Sequence, residues 1–165
     1  MATTVAMTQY SANKTLNFWL NGGGTTVTQA AARPYIYLMK TAPTDDVGTS
    51  YTPVTGVTYT PVILPAMTVG APATPADYQR AFNSSSISIT ISGGTTDTCV
   101  GILLTLNNSA TPALTGNNDF SSAATVNPVL YYGTFSGSIT LNNGDTLTFA
   151  VGSNAGTNGI TVDQY

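Results

Sequence analysis

The sequence predicts an all-β fold, a β-sandwich of jelly-roll type with one short helix near its N-terminus. Three observations predict it. Short segments rich in Val, Ile, Thr and Tyr recur along the 165 residues, and such segments suit half-buried strands. Clusters of Gly, Asn and Pro separate them, as turns require. Helical periodicity occurs in one place. A chain of this length supports one hydrophobic core, so residues 1–165 are expected to form a single domain.

The helix is expected near residues 11–21. Ser11 can cap it, Leu16, Trp19 and Leu20 fall on one stripe, and Asn21-Gly22-Gly23-Gly24 ends it. Pro34 to Lys40 reads as a strand with its proline only at the start. Tyr51 to Leu64 is rich in Val, Thr and Tyr, but Pro53 and Pro61 confine it to one or two edge strands. Residues 65–79, rich in Pro and Ala, are expected to form an extended arm. Ser86 to Ile91 alternates strictly, which places Ile87, Ile89 and Ile91 on one buried face. Thr98 to Leu106 is nearly continuous in apolar residues and suits a central strand covered on both sides. Residues 107–128 are expected to form a long polar loop, and Val129 to Phe135 reads as another strand.

Two further strands, 138–141 and 146–151, flank Asn142-Asn143-Gly144-Asp145. Asn143-Gly144 has the form of a two-residue hairpin turn. Parity opposes a hairpin, which would set Leu141 against Thr146 and Thr140 against Leu147 and split the apolar faces. One apolar side needs either an odd loop or strands that are not direct partners, and the second is expected, with the chain crossing here from one sheet to another.

Composition limits the chemistry. The chain has no histidine and no glutamate; seven aspartates and four bases leave a net charge of −3. Charged residues make up 7%, where about 25% is usual. Thirty threonines, with Ser, Asn and Gly, supply the polarity instead. Without histidine the common serine and cysteine triads cannot form. No basic patch offers a footprint for nucleic acid, and the apolar runs are too short to span a bilayer. Met1 to Tyr10 lacks the basic and apolar regions of a Sec-type signal, so synthesis in a cytoplasm is expected. The single Cys99 sits in an apolar run and is expected to be a small buried hydrophobe. With so little charge repulsion, free copies should tend to associate.

The remaining polar clusters are weak candidates for sites. Lys14 and Lys40 are poorly placed for a Ser–Lys pair. Asp45-Asp46 is a pair of carboxylates, as glycosidases use, but adjacent loop residues point apart and the segment reads as a turn. Oxygen ligands gather at Asn117-Asn118-Asp119 and at Asn142-Asn143-Gly144-Asp145, but neither has EF-hand spacing. The triplets at Asn13, Asn83 and Asn107 match the glycosylation pattern at a rate expected by chance. Tyrosines at 35 and 37, 51 and 59, and 131 and 132 suit cross-strand packing, with a sugar or partner surface as the alternative. No catalytic residue, metal site or cofactor is expected.

Taken in order, several segments resemble a family of small virion proteins of tailed phages, usually labelled tail or tail-fibre proteins, with related small β-proteins that decorate capsids. The segments are Leu16-Asn17-Phe18-Trp19-Leu20-Asn21-Gly22-Gly23-Gly24, Tyr35-Ile36-Tyr37-Leu38-Met39-Lys40-Thr41-Ala42-Pro43, Val100-Gly101-Ile102-Leu103, Leu130-Tyr131-Tyr132-Gly133-Thr134-Phe135 and Gly144-Asp145-Thr146-Leu147-Thr148-Phe149. The arm at 65–79 and the loop at 107–128 depart from the pattern. The resemblance implies a structural role in the virion and carries over no catalytic residue. The expected function is a capsid cement or decoration protein bound in many copies; a tail or tail-fibre module touching host glycans is the alternative. Its expected partners are the major capsid protein or other virion proteins, and copies of itself, with no nucleic acid and no membrane. Candidate subunit contacts are Pro65, Met67, Val69, Pro72, Pro75 and Tyr78 in the arm, Leu114 and Phe120 in the loop, and Tyr165 at the C-terminus.

Overall fold

A computed structural model describes residues 2–7, 33–41, 52–70, 80–105, 129–153 and 158–163, with backbone only for 2–7 and 163. The expected helix at 11–21, the loop at 107–128 and residues 71–79 of the arm lie outside the described residues. The described part is all-β. Its strands are β1 (Ala2–Met7), β2 (Tyr35–Thr41), β3 (Thr52–Pro53), β4 (Val57–Tyr59), β5 (Val62–Ile63), β6 (Met67–Gly70), β7 (Arg80–Asn83), β8 (Ile87–Gly94), β9 (Thr96–Thr105), β10 (Val129–Asn142), β11 (Thr146–Phe149) and β12 (Gly159–Asp163).

Nine strands form one sheet in the order β3-β2-β9-β10-β1-β12-β7-β6, with β5 beside β3 on the outer side of β2. The other three form a small sheet, β11-β8-β4. All pairs are antiparallel except β1 with β12. A jelly roll distributes eight strands over two sheets. The nine-to-three division and the parallel pair differ from that expectation.

The large sheet is strongly curled. β5 and β6 lie at its opposite edges, yet only Leu64, Pro65 and Ala66 join them. Four Cα steps reach about 14 Å at most, whereas seven strand intervals in a flat sheet would span roughly 34 Å. The bend has a hinge strand: Ala2–Val5 pair with β12, whereas Ala6 and Met7 pair with β10. A strand that changes partners in this way makes the corner of a rolled sheet.

The small sheet packs against the concave side. Ile87, Ile89 and Ile91 of β8 point inward with Leu147 and Phe149 of β11 and Val57 and Tyr59 of β4. They meet Ile36 and Leu38, Cys99, Ile102 and Leu104, Leu141 and Ile160 from the large sheet. The Phe135 and Phe149 rings lie 6.0 Å apart at 45°. On the opposite face of the large sheet Tyr37, Met39, Leu103 and Val129 form a second buried cluster. β9 is thus the central, doubly covered strand that its apolar run implied.

The sequence reading is corrected in three places. Residues 129–142 form one strand, not two; β10 carries three residues more than β9 between the pairs Thr134–Gly101 and Ile139–Cys99. The stretch 51–64 makes three strand fragments, and each lies at a sheet edge as its prolines required. Part of the expected arm is no arm: Met67–Gly70 pair with Arg80–Asn83 as an edge strand. The chain crosses between sheets at 142–145, the expected one of the two solutions to the parity conflict. β10 ends in the large sheet and β11 pairs with β8 in the small one, from Thr146–Thr90 to Phe149–Ile87.

Candidate interaction surface

The polar clusters within the described residues are occupied by the fold. Asp97 is a buried carboxylate on β9. Its Oδ1 accepts the Lys40 ammonium at 2.7 Å and the Thr98 N–H at 2.8 Å. Its Oδ2 accepts the N–H groups of Gly56 at 2.7 Å and Thr55 at 3.0 Å. Burial alone would raise its pKa, but the Lys40 charge and the three backbone donors outweigh burial and hold it at about 2. A carboxylate so saturated takes no proton near neutrality, so it clamps the β3–β4 segment to the large sheet and does not act as a base. Lys40 is engaged in the same pair. Sequence reasoning passed over Asp97, although its position carries a signal: it shares the core-facing parity of Cys99.

Asn83 is a second buried junction. Its Nδ2 donates to the carbonyls of Ser85 at 2.7 Å and Ala150 at 2.9 Å, and its Oδ1 accepts the Ile160 N–H at 2.8 Å. This ties β7 to β12 and to the exit from β11, and it leaves Asn83 no access for a glycan. The Asn142–Asp145 oxygens are used by the turn. Asp145 Oδ2 accepts the Asn142 N–H at 2.7 Å, Asn143 Oδ1 accepts the Gly93 N–H at 2.8 Å, and Asn142 Oδ1 accepts the Thr96 hydroxyl at 3.0 Å. No group of three or more acids, cysteines or histidines gathers among the described residues. Asp45-Asp46, Asn117–Asp119, Lys14 and Tyr51 lie outside them.

The described tyrosines pack. Tyr37 and Tyr59 are buried, and Tyr35, Tyr131 and Tyr132 are half-buried against the two clusters. Burial raises the Tyr59 phenol, partly offset by the Leu38 N–H that it accepts at 3.0 Å. Cys99 is buried, and burial pushes its thiol up to about 11, which leaves it inert.

What remains is surface. Thr58, Ser88, Thr90, Ser92, Thr146 and Thr148 are all exposed on the outer face of the small sheet, opposite its isoleucines. Covering that face would remove hydrated hydroxyls and gain little apolar area. The edges of the large sheet differ from it and from each other. Along β2, β3 covers Met39 and Thr41, and β5 covers Tyr35 and Ile36. In the gap between them Leu38 is served by Val54, whose N–H it accepts at 3.0 Å, and by the Tyr59 hydroxyl. β2 itself is thus covered, and the two-residue strands β3 and β5 form the outer edge there.

The β6 edge is open, for among the described residues β6 pairs only with β7. Ser84 N–H donates to the Ala66 carbonyl at 2.9 Å. Hydrogen-bonded positions alternate along an antiparallel pair, so Thr68 and Gly70 bond inward, and Met67 and Val69 turn their N–H and C=O groups outward. Residues 52–70 carry no charge, and charge is the usual protection of an edge. Met67 and Pro65 are half-buried, with Met67 packed on the core, while Val69 is 64% exposed. These are three of the nine expected contact residues. Pro72, Pro75, Tyr78, Leu114, Phe120 and Tyr165 lie outside the described residues.

Compared with known protein families, curated proteins and solved structures, the chain matches none.

Proposed function

We propose that this chain is a structural, non-enzymatic protein of a phage particle, a capsid cement or decoration protein bound in many copies. The observation that carries the proposal is the β6 edge, which among the described residues is open and presents outward main-chain groups beside the exposed Val69 with no charge. Edge addition of a strand uses main-chain hydrogen bonds for affinity. Two further points support it. The ordered resemblance to small virion proteins implies such a role, and the described polar clusters are consumed by the fold. The partners are the major capsid protein or other virion proteins, and copies of itself.

The test is the number of copies in purified particles, measured by quantitative mass spectrometry and located by electron microscopy. Hundreds of copies on the shell are expected. A dozen or fewer at the tail would replace cement with the tail or tail-fibre function, and absence from purified particles would refute a virion role.

A further inference from the structure

We propose that the open edge of β6 pairs with the same edge of a second copy of this chain, antiparallel about a two-fold axis at Thr68. The proposal rests on the multi-copy function above and names the partner. The outward main-chain groups belong to Met67 and Val69, two residues apart and symmetric about Thr68. Two such edges meet with Met67 opposite Val69 of the second copy, and Val69 opposite its Met67. Each of these positions exchanges two hydrogen bonds, so four bonds satisfy every outward group of β6 on both copies. Thr68 then lies opposite Thr68, a favourable cross-strand pair.

The side chains agree with this register. Met67 and Val69 share one side of the strand, and Met67 on that side packs against the core. Val69 is the residue the core leaves uncovered, at 64% exposure. In the pair it lies against Met67 of the second copy, so the contact extends both hydrophobic cores across the axis. Charge does not oppose the meeting of identical copies, since residues 52–70 have none. A four-residue edge offers much less than the roughly 1,200–2,000 Å² buried by a stable interface. The pair is therefore weak in free solution, where it forms at high protein concentration, and stronger where copies are held close together.

Sedimentation equilibrium and concentration-dependent amide shifts test the proposal on the full chain. Self-association little changed by salt is expected, with the Met67 and Val69 amides shifting as concentration rises. Val69→Lys places a charge on the edge, and Val69→Pro removes an outward N–H without touching an inward bond. Both are expected to abolish association, with folding checked by circular dichroism. Val69→Lys alters an exposed side chain and remains informative if the proline variant fails to fold. A chain that stays monomeric at every accessible concentration overturns the proposal, as does association that survives Val69→Lys in a folded protein. Particle copy number is read separately: a chain abundant in particles yet monomeric in solution would refute the edge pair and leave the virion function standing.

Discussion

Asp97 occupies a core-facing position of β9, and its four donors come from three places: its own strand, the end of β2 and the β3–β4 segment. Removing it takes the acceptor from three part-buried backbone N–H groups and from the half-exposed Lys40 ammonium. Asp97→Ala is expected to cost about 2–4 kcal/mol in chemical denaturation at neutral pH. The pH dependence follows from the depressed pKa. The carboxyl titrates near 3.8 when free and at about 2 when folded. Its contribution is complete above the free value and is lost as pH falls through the folded one. The stability gap between wild type and Asp97→Ala should therefore narrow as pH falls from about 4 to about 2. A gap that stays constant over that range would show that the charge is not what Asp97 contributes.

At the scale of elements, the turns that send the chain between sheets depend on glycine for two different reasons. Gly144, at the β10–β11 crossing, has φ +93° and open space where a Cβ would lie. Gly144→Ala should cost about 1–2 kcal/mol, from conformation alone. Gly94, at the end of β8, has φ +75°, and a Cβ there would overlap the Gly56 carbonyl oxygen and crowd Val57 Cα. Gly94→Ala should cost about 2–5 kcal/mol because steric overlap adds to the strained φ. Urea denaturation of both variants checks the order, and equal losses would contradict the close β4–β8 approach. The crossing itself was legible from parity, because a one-residue shift exchanges the two faces of a strand. The edge role of β6 was not legible. Composition marks Pro65 to Gln79 as extended, but extended backbone becomes a strand only where a partner lies alongside, and here the partner is Arg80–Asn83.

The whole molecule is shaped by its scarcity of charge. With no histidine and no glutamate, only the terminal amine ordinarily titrates between about pH 5 and 8. Stability is expected to be nearly flat across that interval and little changed by salt, since few charges are present to be screened. Thermal unfolding across pH and ionic strength checks this. A midpoint that moves steeply near neutrality would mean that a displaced pKa, and with it a functional group, had been overlooked.

Alternation in β8, the long apolar run of β9, the prolines of β3 and β5 and the parity at Asn142–Asp145 are local patterns. Such patterns suffice for the all-β character of the described residues, their buried face, their edge fragments and a crossing between sheets. The sequence also excluded histidine-based chemistry through composition. The tertiary structure decided how strands distant in sequence come together: nine on one curled sheet and three on another, with β1 changing partners at the corner. It decided too that β2 is covered by β3, β5, Val54 and Tyr59, while among the described residues Met67–Gly70 forms the opposite, open edge. The physical reason is that pairing and closure depend on which main-chain groups find partners far along the chain, and no local pattern of side chains records that.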